Sequence, residues 1–263
     1  MSEKIFFNNG YSMVNGLRMY YEIYGEGKPL VLIHGGGSTI QTSFAKIIPL
    51  LSQKRKIIAM DLQAHGRTDD RNTPLSFQQD ADDVAMLLEN LQIAKADILG
   101  FSNGGQTLIE IALRHPDKIN KLVICSSFYN RSAAAPQFWE GFEGRVQFSN
   151  MPQVYKDAFL KVNNNQEALL NMFNKDVWRM RMFRGWSDEQ IQSIKAPTMI
   201  INGNKDVGST EHTVQLYHLI PDSQLVILPG GHGTYMDEIS VYDPKSRSVE
   251  YFIPILEEFL DYK

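Results

Sequence analysis

The stretch Asp97-Ile98-Leu99-Gly100-Phe101-Ser102-Asn103-Gly104-Gly105 decides how this chain is read. An apolar run enters Gly-x-Ser-x-Gly, and a helical pattern follows as far as Pro116. Between a strand and a helix, this pattern puts Ser102 on a tight turn with its hydroxyl above the sheet edge. Gly100 and Gly104 are required there, because side chains would collide with the neighbouring strand and helix. The helix beginning at Asn103 adds a free N–H and the positive end of its dipole. A serine so placed can attack a carbonyl, with a donor beside the oxyanion that forms. Alone, the five residues also fit a glycine-rich turn with an idle serine, so the rest of the chain must supply partners.

Upstream, Leu30-Val31-Leu32-Ile33 is an apolar run ending in His34-Gly35-Gly36-Gly37, a buried strand followed by a loop whose amides can approach a ligand. Downstream, Thr198-Met199-Ile200-Ile201 leads to Asp206, and Gln224-Leu225-Val226-Ile227-Leu228 leads to Pro229-Gly230-Gly231-His232-Gly233. Serine, acid and histidine each follow a β-run, in the order Ser…Asp…His. This order and placement resemble the α/β-hydrolase superfamily over nearly the whole chain. The resemblance implies an α/β fold with a mostly parallel eight-stranded sheet, helices on both faces and an inserted helical cap. It also makes the residue after His-Gly, Gly36, the second oxyanion donor beside Asn103.

Ser102 needs a base, and the base needs an orienting carboxylate. Among six histidines, His34 is committed to the glycine loop, His65 to the loop after Asp61, and His115 to a helix end. His212 and His218 are expected to be solvated on a helix, which leaves His232 as the base. Asp206 is the acid, because Cys125-Ser126-Ser127-Phe128-Tyr129-Asn130 after the preceding strand holds no carboxylate. Asp61-Leu62-Gln63-Ala64-His65-Gly66-Arg67 is similar to the Asp-x-x-Gly-His-Gly-x loop of the family, with Ala64 in place of a glycine, and its Asp61 and His65 are read as pinning that loop.

The remaining pattern agrees with an α/β core. Asn15-Gly16 joins strand-like residues 11–14 and 17–24 into a hairpin. A helix is expected over 42–52, and Ser76 to Gln79 form a capping box before Phe77, Ala81, Val84, Leu88 and Leu91 at helical spacing. Strands at 56–60 and 121–125, and helices at 210–219 and 249–260, complete the alternation. The rhythm breaks for about seventy residues, too many for a plain loop. Helical patterns fall there at 137–147, 151–162, 166–174 and 176–183, and another starts at Ser187. The chain therefore divides into core residues 1–127, a cap at 128–195 and core residues 196–263.

The net charge of −4 is spread out with no basic stripe, so nucleic acid is not an expected partner. The N-terminus lacks a signal-peptide pattern and no apolar run approaches a membrane span, so a cytoplasmic protein without a membrane partner is expected. Neither a zinc motif nor a cysteine pair is present, the lone Cys125 reads as a small buried hydrophobe, and the Gly-x-Gly-x-x-Gly dinucleotide spacing is missing. No metal and no cofactor are expected.

These residues describe a serine hydrolase of a carboxylic ester or lactone. The chain resembles small capped bacterial esterases and enol-lactonases. Three stretches, 62–68, 100–105 and 231–235, are also similar to serine-dependent macrolide esterases, so a large ring lactone is the most specific substrate expected. The alternatives are a generic carboxylesterase, a carbon–carbon bond hydrolase, or a slow ligand receptor on the same scaffold. Gly37, Phe101, Trp139, Trp178, Met182 and Trp186 are candidates for the substrate pocket, with at least one tryptophan expected to line it. Glu140 and Glu143, beside Trp139 and Phe142, are candidates for holding a cationic amino sugar.

Overall fold

A computed structural model describes residues 7–262. The strands are β1 (Phe7–Val14), β2 (Leu17–Tyr24), β3 (Lys28–Ile33), β4 (Arg55–Met60), β5 (Ala96–Phe101), β6 (Ile119–Cys125), β7 (Thr198–Gly203) and β8 (Ser223–Leu228). They form one eight-stranded sheet in the order β1-β2-β4-β3-β5-β6-β7-β8. The β1–β2 hairpin closes at Val14 opposite Leu17, with Asn15 and Gly16 both at positive φ as the tight turn requires. β2 meets β4 antiparallel, and the pairs from β4 through β8 are parallel. The carboxyl ends of β3, β5, β6, β7 and β8 therefore share one edge of the sheet, where open α/β sheets hold their ligands.

Strand side chains alternate between faces. The helices are α1 (Ile40–Phe44), α2 (Ile48–Leu51), α3 (Phe77–Asn90), α4 (Asn103–Arg114), α5 (Pro136–Glu140), α6 (Gln153–Val162), α7 (Gln166–Met182), α8 (Asp188–Gln192), α9 (Thr210–Leu219) and α10 (Ser248–Asp261). Val31, Ile33, Ile98, Ile124 and Ile200 face α3, α4 and α9. Leu30, Leu32, Leu99, Val123 and Ile201 face α1, α2 and α10. Both faces of the sheet are covered, which is why its strands read as unbroken apolar runs.

Several local expectations change. The helix over 42–52 is two short helices, because Pro49 enters the first turn of α2 and cannot continue the preceding one. Ser76 Oγ accepts the Gln79 amide at 3.1 Å, but Gln79 Nε2 turns to Asp83 at 3.0 Å, so a single cap stands in place of a capping box. The two helices at 166–174 and 176–183 are one, α7. His212 is buried rather than solvated: it stacks on Tyr129 and accepts the Tyr129 amide at 3.3 Å, and burial pushes it down to about 4. Between β6 and β7 the described elements are helical, and α5, α6 and α7 lie there. No helix among the described residues is long and apolar enough to cross a membrane.

Candidate active site

Ser102 leaves β5 at φ 54° and ψ −122°, a conformation that side chains rarely adopt. Its amide is held by the Cys125 carbonyl at 2.9 Å, which ties the turn to the end of β6. The turn is packed against its neighbours: a Cβ on Gly104 would sit 2.1 Å from the Ile33 carbonyl, and one on Gly100 would sit 2.3 Å from the Gly104 carbonyl. Such holding costs about 1–3 kcal/mol, a strain typical of functional turns.

His232 follows β8, and its ring packs on Phe101 with centroids 4.9 Å apart. His232 Nδ1–H donates to Asp206 Oδ1 at 2.7 Å. The Val207 amide donates to the same oxygen at 2.7 Å, and Ser126 Oγ donates to Oδ2 at 2.6 Å. Tyr235 lies behind Ser126, its hydroxyl 2.8 Å away. Burial would raise the Asp206 carboxyl, but the bond and charge of His232, then Ser126 and Val207, hold it below its ordinary value. Ser102 and His232 line one cavity of about 410 Å³, together with Gly36, Gly37 and Asn103.

The glycine loop after β3 is fixed from two sides. His34 Nδ1–H donates to the Gly35 carbonyl at 2.7 Å, and its Nε2 accepts the Leu62 amide at 3.0 Å. Burial, and then the neighbouring His65, push His34 down to about 3, so it stays neutral. From the other side, the Gly37 amide donates to Asp176 Oδ2 at 2.6 Å. Among the described residues, the Gly36 and Asn103 amides find no acceptor. Asn103 opens a helix, where the first N–H groups have no intrahelical partner.

Asp176 also accepts from His65 Nε2 at 2.9 Å and from Arg179 at 2.6 Å, and Arg179 reaches Asp80 at 2.7 Å. His65 Nδ1 faces the Gln63 carbonyl at 2.8 Å. Both ring nitrogens of His65 thus meet oxygen acceptors, which calls for an imidazolium. Burial alone would push His65 down, but the Asp176 carboxylate outweighs it and holds His65 above its ordinary value. Burial would likewise raise Asp176, yet the charges of His65 and Arg179 hold it well below the carboxylate range. A carboxylate depressed on folding stabilises the fold above its unfolded pKa and loses that contribution as pH falls through the folded value. In a melting series the midpoint temperature of the protein drops below about pH 4. Asp176→Asn, already less stable at neutral pH, loses less over the same interval.

The cavity wall differs from the sequence expectation. Phe138, Phe142, Met151, Tyr155, Phe173 and Met180 line it, with Phe128 from the end of the sheet. The tryptophans do not. Trp139 is buried in an aromatic cluster, stacked on Phe183, with Nε1–H on the Arg131 carbonyl at 2.8 Å. Trp186 is buried with Nε1–H on Glu110 at 2.8 Å, which fastens the helical segment to α4. Trp178 and Met182 are 46% and 50% exposed, on the outer face of α7. Phe101 supports His232 from below rather than lining the cavity, whereas Gly37 does line it. Glu140 and Glu143 pair with Arg145 at 3.5 Å and Arg131 at 3.1 Å, outside the cavity. Neither is free to hold a substrate cation there.

Asp176, Ser126 and Tyr235 were not among the sequence candidates. Only Asp176 carried a signal: an acid within the apolar series Leu169, Met172, Phe173, Val177 and Met180 of one helix face. Among the described residues, no group of three or more His, Cys, Asp or Glu side chains is placed to hold a metal ion.

The profile of the alpha/beta hydrolase fold family matches residues 28–182, more than half of the chain. An uncharacterized hydrolase of Bacillus subtilis, YugF, is 40% identical over 245 residues, covering 82% of this chain and 87% of YugF. The 2-hydroxy-6-oxo-2,4-heptadienoate hydrolase of Pseudomonas putida is 26% identical, covering 81% and 85%. The crystal structure of the enol-lactonase from Burkholderia xenovorans superposes with a TM-score of 0.74 at 20% identity, over 95% of this chain and 99% of that one, a likeness of fold.

Proposed function

Since the chain belongs to the alpha/beta-hydrolase family, we propose that it is a serine hydrolase that opens carboxylic esters or lactones through an acyl-enzyme on Ser102. The observation that carries this reading is the Asp206–His232 pair at 2.7 Å, beside a cavity that Ser102 shares with two uncommitted amides. Ser102 Oγ attacks the carbonyl carbon while His232 takes its proton. The Gly36 and Asn103 amides hold the oxyanion, and each such donor is worth about 10²–10³ in rate. On collapse the carbon–oxygen bond breaks, and the His232 imidazolium gives its proton to the leaving alcohol. Water then attacks the acyl carbon, His232 takes its proton, and Ser102 leaves as a hydroxyl. With a lactone the alcohol stays tethered and the product is a hydroxy acid.

The lining narrows the acyl group. Among the described residues that line the cavity there is no lysine or arginine, and the one carboxylate, Asp176, already has three donors. Nothing there would pair with an anionic acyl chain, such as the dienoate named for the Pseudomonas relative. We assign the site to neutral, apolar acyl groups. The finer reading is a large ring lactone of the macrolide kind. It draws on the three stretches similar to macrolide esterases and on a wall of phenylalanine and methionine, whose flexible thioethers fit irregular rings.

The test is a panel of neutral and carboxylate-bearing esters and lactones, macrolides included, followed by mass spectrometry that reads a gain of one water for lactones and release of the acid and alcohol for esters. Steady turnover is expected on neutral members, with a serine-directed phosphonate inactivating through Ser102 and a chelator without effect. A label on another serine, or a single slow acylation without turnover, overturns the reading. Phe138→Ala and Phe142→Ala raise KM for bulky lactones well above any change for p-nitrophenyl acetate, because both line the cavity beside Ser102 and His232. Equal changes on both substrates would mean that these rings only hold the helical segment together.

A further inference from the structure

We propose that Asp176 is a positioning residue for the oxyanion hole, a role that rests on the reading of Gly36 and Asn103 as its donors. The loop Gly35–Gly37 has no side chains with which to hold itself. Its His34 end is tied to the core through Leu62, while the Gly37 amide is tied to a carboxylate carried by α7. Gly36 lies between these anchors, wedged so that a Cβ would meet Asn103 Nδ2 at 2.6 Å and Asp176 Oδ2 at 3.5 Å. Fixing the Gly37 amide fixes the backbone of Gly36, and with it the direction of the Gly36 N–H. Gly37 sits at φ +66°, a backbone state that glycine leaves easily unless something holds it.

A bare carboxylate beside a developing oxyanion would oppose it. Asp176 is instead neutralised by two cations, the His65 imidazolium at 2.9 Å and Arg179 at 2.6 Å, with Asp80 completing the set from α3. The network lets an anion stand next to the hole and act only as an acceptor for the Gly37 amide. Asp176 belongs to α7, and Phe173, Val177 and Met180 of the same helix line the cavity. The hole is therefore complete only when α7 is seated, and a substrate that fills the cavity presses on the helix that completes it.

Asparagine can take this role chemically. Its side-chain oxygen, placed where Oδ2 stands, can accept both the Gly37 amide and His65 Nε2–H, and its Nδ2 then faces Arg179 in place of Oδ1. Alanine can accept neither. The expected result is a kcat about 10–100-fold lower for Asp176→Ala on p-nitrophenyl acetate, with KM within about threefold, since a misdirected donor forfeits part of what an oxyanion donor supplies. The affinity for an alkyl boronic acid, which forms an anionic tetrahedral adduct on Ser102, falls by the same factor. Asp176→Asn recovers most of both losses.

If Asp176→Ala does not fold, Asp176→Leu/Arg179→Met replaces the buried pair by apolar residues, a change that proteins often accept. It should show the same loss of kcat and of boronate affinity. An unchanged kcat in the folded variant, a change in KM alone, or an Asn variant no better than Ala overturns the proposal. Wild-type protein run alongside separates the two levels. Failure of the phosphonate to label Ser102 in the wild type removes the hydrolase reading and this inference together. Normal labelling with unaffected Asp176 variants removes the inference alone.

Discussion

Ser102→Ala and His232→Ala each lower kcat on a good ester by about a millionfold, and the double variant is no slower than either. The equality follows from the roles proposed for the pair. Without the base, the Ser102 hydroxyl is a weak nucleophile; without the hydroxyl, the base has nothing to deprotonate, so removing the second group costs nothing more. Neither substitution threatens the fold. Ser102 is held by its amide on the Cys125 carbonyl rather than by its side chain, and the His232 ring packs on Phe101 at the rim of the cavity. Ser102→Gly provides a control of a different kind. Relief of a backbone at φ 54° should raise the melting temperature of that variant while activity is lost equally. Turnover by pure Ser102→Ala above about a thousandth of wild type, measured with active-site titration to exclude contamination, would remove Ser102 as the nucleophile.

What could be read from the sequence, and what could not, divides along a physical line. Ser102, Asp206 and His232 each stand just beyond an apolar run, so strand order and parallel pairing alone carry them to one edge of the sheet. Gly36 follows β3 to the same edge, but its reading as an oxyanion donor rests on the resemblance to the family. The helical segment has no such constraint. Its aromatic residues are plentiful enough to satisfy either face of a helix, and the polar tract Asn174-Lys175-Asp176 hides the continuity of α7. Once α7 is one helix, its phase sorts the residues: Phe173, Asp176, Val177 and Met180 fall at spacings of three and four and face the cavity, while Trp178 and Met182 point away. The tryptophans misled because large aromatic size suits a pocket and a core equally. Trp139 and Trp186 serve the core, each with its indole N–H bonded to an oxygen, as a buried indole requires. Ser126 and Tyr235 were out of reach, since the bond of Ser126 to Asp206 and that of Tyr235 to Ser126 join three separate strand ends.

Asp206→Ala lowers kcat by about 10⁴-fold, and Asp206→Asn by only about 10²–10³-fold. The difference rests on which oxygen each donor uses. A carboxamide can leave the histidine in the wrong tautomer if its NH₂ turns toward Nδ1, a fault that by itself costs about 10⁴ in a serine protease. Here the Val207 amide and His232 Nδ1–H share Oδ1, at 2.7 Å each. The Val207 N–H is a fixed donor and demands an oxygen, so the carboxamide oxygen of the introduced asparagine stays on that side. Its NH₂ then faces Ser126, at the position where Oδ2 accepted at 2.6 Å. The Ser126 hydroxyl can rotate to accept that donor, which a backbone amide could not do. His232 keeps its proton on Nδ1 and its lone pair free for Ser102. What is lost is the negative charge that stabilises the imidazolium in the transition state, and a neighbouring charge shifts a pKa by about 1–3 units. Alanine loses charge and orientation together. Kinetics of the two variants on p-nitrophenyl acetate, with the tautomer of His232 read from its imidazole ¹⁵N shifts, test the argument. An asparagine variant as slow as the alanine one, or an Nε2–H tautomer in it, would show that the Val207 amide does not orient the side chain at this position. A Ser126→Ala background should make the asparagine variant worse, because the displaced NH₂ then has no acceptor to turn to.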